Sequence, residues 1–287
     1  MNYSALIQNR KSVRAFTDKY VSFDDLDKIK TYFGKSVLRL LPELKTELRL
    51  FGLDARAVLE GAAGYQQFLV GAPQYMVLLS AKHEHAGENA GYIMEDMILK
   101  LTDMGLDTCW LSFTDSEHVK AALEIVSDLD VAAIVAFGYG AKTTKRLRVN
   151  IQSMSDVDIA AQRQYFSPKL GIRDMVFMDS WGNSTGVDAY IGFYDDLLWE
   201  AFYAVSLAPS YLNRQPYGFV IHNGRITLVR KPDAYTNEAH GKLGLGIALL
   251  HFNSVASQWA GKVNWNFEDT ASLQLPEGYT AVASVAL

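Results

Sequence analysis

Apolar positions along this chain switch between helical spacing and short unbroken runs. Ser22 precedes Phe23, Leu26, Ile29 and Phe33, which share one helical face, with Gly34 as the stop. Residues 37–51 are a further apolar-rich stretch compatible with a helix, with Pro42 near its start. Residues 55–69 read as a third helix, and Gly71-Ala72-Pro73 breaks the chain. Residues 75–79 are continuously apolar, as in a strand buried on both faces. Asn89 is placed to cap the next helix, whose stripe is Ile93, Met97, Leu101 and Met104 and whose terminator is Gly105. Residues 106–113 read as extended. Thr114 and Glu117 form a capping box for a helix ending near Ile125. A second unbroken apolar run, 131–137, closes at Gly138.

The later part of the chain repeats some of this plan. A helix over 194–207 puts Leu198, Phe202 and Val205 on one face, with Asp195 and Asp196 in its first turn. Residues 219–222 and 226–229 flank Asn223-Gly224, a pair suited to the two positive φ angles of a type I′ hairpin. A long helix follows over 241–258 with Leu243, Ile247, Leu250 and Ser254 on one face, and residues 281–287 form a last strand. Buried strands alternating with helices imply an α/β or α+β layered fold. Residues 72–138 and 223–287 share the order strand, glycine-entered helix, irregular segment, strand. Gly91 and Gly244, and Met97 and Leu250, fall at similar places, so the two segments read as an internal repeat with a seam at 150–190.

Composition narrows the function classes. The 287 residues are 49% hydrophobic and carry 27 Lys and Arg against 32 Asp and Glu, a net charge of −5. This mild acidity, finely mixed along the chain, argues against an obligate nucleic-acid binder. Cys109 is the sole cysteine, which excludes an intrachain disulfide and a cysteine-rich metal site; in its apolar surroundings it reads as an inert buried thiol. His83-Glu84-His85 lacks a third ligand, so no metal is expected there. Neither a signal peptide nor a 20-residue apolar span is evident, and the expected compartment is the cytoplasm, with no membrane partner.

Two polar segments carry the chemistry. Asn9-Arg10-Lys11-Ser12-Val13-Arg14-Ala15-Phe16 sets three cations and a hydroxyl within five positions. Planar guanidinium forks with a short hydroxyl donor suit a phosphate ester, although a solvated basic patch at a helix end would look the same. Ala208-Pro209-Ser210-Tyr211-Leu212-Asn213-Arg214-Gln215-Pro216-Tyr217 is a conformationally fixed polar turn after an apolar helix, which on its own is also a plain helix stop.

Taken together and in this order, the segments resemble the nitroreductase-like FMN flavoprotein family. Arg10 through Phe16 is similar to its Arg-Arg-Ser-Val-Arg-x-Phe segment, and Ala208 through Tyr217 to its Ala-Pro-Ser-x-x-Asn-x-Gln-Pro-Trp segment. Asp103-Met104-Gly105-Leu106-Asp107-Thr108-Cys109-Trp110-Leu111 looks like its Gly-Leu-x-x-x-Trp passage; Gly71-Ala72-Pro73 and Phe137-Gly138-Tyr139 resemble two further landmarks. In ordinary members both motifs lie in one short chain, and two chains build two flavin sites across their interface. Here Ser36 to Glu47 holds no Pro-Ser-x-x-Asn turn, and the second half holds no Arg-rich segment. The chain therefore resembles the single-chain branch in which two protomers are fused and one site has decayed. The resemblance implies an α+β fold of two pseudo-symmetric α/β halves, 1–150 and 151–287, with mostly antiparallel sheets flanked by helices, forming one FMN-binding unit.

The resemblance also implies roles. Arg10, Ser12 and one of Lys145, Arg146 or Arg148 would hold the FMN phosphate, with Lys11 assisting. Arg14 would reach the pyrimidine edge of the ring. Trp110, Leu111, Ser112 and Phe113 would lie along the ring; many relatives have Glu-Gly where this chain has Ser112-Phe113. Pro209, Ser210, Tyr211 and Asn213 would close the other side, with Gln66 and Gln67 at the ring edge. No side chain would act as a catalytic acid or base, because the flavin carries the chemistry. The implied activity is transfer of two electrons from NAD(P)H to a nitroaromatic, a quinone or another small-molecule acceptor. The alternative is a flavin-binding module without turnover. The expected assembly is a monomer.

Overall fold

The computed structural model describes residues 1–64, 68–141, 146–153, 156–162, 168–193, 197–268 and 273–286, with the backbone alone for 146–153, 156–162 and 193. In chain order, α1 (Tyr3–Asn9) and α2 (Phe23–Lys35) lead into β1 (Thr46–Phe51), α3 (Ala55–Leu59) and β2 (Gln74–Ser80). Then come α4 (Ala86–Asp103), β3 (Asp107–Leu111), α5 (Ser116–Ala122) and β4 (Asp130–Gly138). A hairpin of β5 (Arg146–Ser153) and β6 (Asp156–Gln162) precedes β7 (Val176–Met178), α6 (Val187–Phe193) and α7 (Leu197–Ser206). The chain ends with β8 (Tyr217–His222), β9 (Arg225–Arg230), α8 (Glu238–Ala260) and β10 (Thr280–Ala286).

The fold is α+β, with sheets flanked by helices. One sheet has the order β1-β2-β4-β3, antiparallel throughout. The other has the order β10-β9-β8-β7, antiparallel except for the parallel β7–β8 pair. Both faces of the first sheet are covered, which explains its unbroken apolar strands. Met76, Leu78, Val135 and Phe137 pack towards α2 and α4, whereas Tyr75, Val77, Leu79 and Ile134 pack towards α3 and α5. In the second half, α7 and α8 cover β8 and β9 through Phe202, Phe219 and Phe252.

Several sequence expectations hold. Ser22 caps α2, accepting from Asp25 N at 3.2 Å. Asn223 and Gly224 take φ of 49° and 72°, the positive pair a type I′ turn requires. Others are corrected. Residues 37–51 are not a helix: Leu48 and Leu50 alternate with Glu47 and Arg49, and this period-2 stretch pairs with β2 as β1. The segment before it is held by side chains of α4, with Leu38 N donating to Asp96 (2.9 Å) and Leu41 N to Asn89 (2.9 Å). Asn89 is thus a buried anchor inside α4 and not its cap; the helix begins at Ala86. Asp115, not Thr114, caps α5 by accepting from Glu117 N at 2.8 Å. The helix expected over 55–69 ends at Leu59, and its continuation pairs with β-structure at Phe113 through Ala63. Phe23 stands 90% exposed, off the buried face that Ile29 supplies, and Gly34 lies within α2, which ends one residue later. The expected first turn at Asp195 and Asp196 lies outside the described residues.

The two halves meet most extensively where α4 crosses α8. A Cβ on Gly91 would fall onto the Leu243 carbonyl, and a Cβ on Gly246 would fall onto the Glu88 carbonyl. The contact is reciprocal: Gly246 follows Gly91 by the same offset as Leu243 follows Glu88. Gly246 is therefore the counterpart of Gly91, not Gly244, whose Cβ position meets nothing within 4 Å. Reciprocity of this kind is the signature of a two-fold contact. Sheet order repeats it, since β1-β2-β4 and β8-β9-β10 are equivalent antiparallel triplets around these helices, whereas β3 and β7 extend opposite ends.

Candidate flavin site

The Arg-rich segment leaves α1 and lies along the outer edge of β3. Ser12 bridges to Thr108 in parallel, Val13 N donates to Thr108 O at 2.8 Å, and Phe16 bridges to Gly140. This sets Arg10 and Arg14 beside Cys109: burial pushes the thiol pKa up, and the Arg14 and Arg10 charges oppose that rise. The Lys11 and Arg14 residues are exposed, and Ser12 is half-buried. Arg10 points inward. Its side chain is 8% exposed, and Nε lies 3.6 Å from Glu95 Oε1, too far for a hydrogen bond.

Glu95, fully buried on α4, is a residue that sequence reasoning missed. It accepts from the Trp110 indole (Nε1 to Oε2, 3.0 Å) and meets His251 Nε2 on α8 (Oε1, 3.1 Å). Burial alone would raise its pKa. The His251 hydrogen bond, the Arg10 charge and the Trp110 hydrogen bond outweigh that effect and hold the carboxyl below its ordinary value. His251 Nδ1 faces Ala204 O at 2.8 Å, so both ring nitrogens face acceptors.

The turn after α7 arrives from the other half. Pro209 is buried, and Ser210 Oγ accepts from Gln215 N at 2.9 Å. Gln215 donates to Ser206 O (2.9 Å) and accepts from Leu170 N (3.0 Å); Asn213 donates to Pro168 O (2.5 Å). Leu212, Asn213 and Gln215 take φ of 49°, 58° and 46°, unfavourable for residues with a Cβ, so tertiary bonds hold the turn's shape. Tyr211 stacks on His240 at 4.0 Å. Lys169 completes the arrangement: Nζ donates to Ala208 O at 2.9 Å. Burial lowers its pKa to about 8, with a further push from Arg10 against the pull of Glu95.

The structure thus brings Arg10, Trp110 and the 208–215 turn together around Glu95 and Lys169. Trp110 is committed inward by its indole hydrogen bond, and the Leu111 side chain is buried in the core beneath α5. Ser112 and Phe113 are half-buried at the far end of β3, where Ser112 O accepts from Gly64 N at 2.7 Å. The Gln66, Gln67 and Lys145 positions lie outside the described residues; Arg146 and Arg148 share one face of β5, their side chains undescribed. No helix among the described residues is long and apolar enough to cross a membrane.

Residues 2–167 match the family model described as "Putative TM nitroreductase". The crystal structure of a Thermotoga maritima protein described as "a putative nitroreductase" superposes over 100% of this chain and 94% of its own, with a TM-score of 0.59 at 19% identity. A Bacteroides fragilis nitroreductase with bound FMN matches over 55% of this chain and 100% of its own, at 21% identity and a TM-score of 0.42. No curated protein matches the chain.

Proposed function

Because the chain belongs to the family described as "Putative TM nitroreductase", we propose that it is an FMN-dependent oxidoreductase that passes two electrons from NAD(P)H to a nitroaromatic, a quinone or another small acceptor. The observation that carries this reading is the buried Arg10 guanidinium, whose Nε has no hydrogen-bond partner, beside a turn delivered from the other half of the chain. Glu95 at 3.6 Å supplies charge but no hydrogen bond, and a buried donor without an acceptor costs free energy until a ligand oxygen meets it. Arg10 and Ser12, with Lys11 and one of Lys145, Arg146 or Arg148, would offer a phosphate the donors it needs, and its charge of about −1.5 to −2 answers theirs, while Arg14 would reach the pyrimidine edge of the ring. From Thr108 in β3 to Ser112 just past its end the extended chain covers roughly 13 Å, which would separate an anion-binding end from a ring-binding end. Pro209, Ser210 and Asn213 would close over the ligand from the second half. Bound there, FMN would accept and donate hydride, and the chain's contribution is position and electrostatics.

The reciprocal α4–α8 crossing supports reading 1–150 and 151–287 as a fused pair of protomers holding one FMN per chain. The assembly expected is a monomer, since the two-fold contact is internal. The purified protein should be yellow and should bleach with NADH or NADPH under anaerobic conditions. A colourless protein that takes up no FMN overturns the reading. A yellow protein that neither nucleotide bleaches leaves a flavin-binding module without turnover. Light scattering with flavin absorbance tests assembly, and a dimer or two flavins per chain would overturn that part.

A further inference from the structure

We propose that Lys169, from the segment joining the two halves, is a phosphate ligand of the flavin that also clamps the 208–215 turn. The inference rests on the FMN reading and adds to it a cation from outside both motifs. Lys169 spends one of its three N–H donors on Ala208 O. No carboxylate of the described residues lies within ion-pair distance of it. Arg10 is close enough for its charge to disfavour the Lys169 ammonium, and among the described residues Glu95 is the carboxylate that acts on both. That carboxylate spends its hydrogen bonds on Trp110 and His251. Arg10 and Lys169 are therefore two partly or wholly buried cations that share the charge of one carboxylate, Glu95, which lies 3.6 Å from Arg10 and makes its hydrogen bonds elsewhere, and Arg10 Nε has no hydrogen-bond partner. A dianion between them resolves both deficits, and a neutral ligand resolves neither. The lowered pKa of Lys169 agrees with an ammonium awaiting an anion.

A second consequence follows from the Ala208 contact. The same ammonium would hold phosphate on one side and the start of the strained turn on the other. Loss of the phosphate should then be felt as loosening of the turn.

The test titrates flavin-free full-length protein with FMN and, separately, with riboflavin, which has the ring but no phosphate, reading flavin fluorescence. The expected result is that Lys169→Gln weakens FMN binding about ten- to a hundredfold, as for loss of a charge-assisted hydrogen bond, and leaves riboflavin binding unchanged. Lys169→Arg should keep most of the FMN preference. Inorganic phosphate should compete with FMN for the unaltered protein, so the proposal remains testable even if Lys169→Gln fails to fold. Equal losses for both flavins would reduce Lys169 to a support of the turn and overturn the proposal, as would unchanged FMN affinity or an absence of phosphate competition. Failure of the unaltered protein to bind either flavin would instead overturn the FMN reading on which the proposal rests.

Discussion

At the crossing of α4 and α8 the two helices are matched, and one turn further on they are not. The offset that sets Gly91 against Gly246 also sets Glu95 against Leu250 and Asp96 against His251. All four of these residues are buried. Leu250 packs in the apolar core of the second half. Glu95 instead gathers Trp110, His251 and Arg10, and Asp96 accepts from Tyr3 (2.8 Å), Tyr32 (2.9 Å) and Leu38 N. Backbone approach is the same on both sides because helix contact demands it, whereas the buried carboxylates Glu95 and Asp96 stand on α4 where α8 has Leu250 and His251. The turns follow the same rule. Residues 37–41 are tied by backbone N–H groups to α4, while 208–215 is tied by Gln215, Asn213 and Lys169 in a shape that costs backbone strain.

The strongest way to break the comparison is to give α4 the residue of α8. Glu95→Leu strands the Trp110 N–H, His251 and Arg10, and should cost about 3–5 kcal/mol in urea unfolding. Leu250→Met at the matching place should cost less than about 1.5 kcal/mol. Equal costs would mean that the polar cluster is not what distinguishes the halves. Next in size are the glycines. Gly91→Ala and Gly246→Ala should each cost about 2–3 kcal/mol, because each new methyl meets a carbonyl of the partner helix. Gly244→Ala, in open space within a helix, should instead stabilise by about 0.5–1 kcal/mol. The opposite signs test the register directly. The smallest effect concerns pH. Lys169 is held at about 8 against an ordinary 10.5, so between those values the unfolded chain binds more protons than the folded one. Flavin-free protein should therefore gain stability from this group as pH rises from about 8 to 10.5. Lys169→Met should flatten that slope in thermal melts taken across the window.

Much of the fold was legible because local rules and tertiary demands agreed. Asn223-Gly224 announces its turn since few other pairs accept two positive φ values, and residues 75–79 and 131–137 announce buried strands since both faces of their sheet are covered. Residues 46–51 also carried the correct alternation, but Leu38, Leu40 and Leu41 upstream blurred it into an apolar stretch. The register of the repeat slipped by two residues because side-chain letters have diverged; only the close-approach glycines keep it, and three glycines lie within 241–246. In the candidate site, the Arg-rich segment and the Pro-Ser turn were visible as motifs. Glu95 and Lys169 were not, because nothing local marks them. Their meaning comes from His251 and Ala208, far along the chain, and a glutamate or lysine in sequence looks like any solvated charge.

The crossing at Gly91 and Gly246 has a consequence for how such a protein can change. When two identical chains meet across a two-fold, every substitution at the contact is made twice, and a residue useful on one side is imposed on the other. Here both sides of the contact are encoded separately. A carboxylate can stand where its mate is a leucine, and each position can drift without carrying its counterpart along. An error likewise falls once: a side chain added at Gly91 leaves the contact of Gly246 with the Glu88 carbonyl in place, and the reverse holds for Gly246.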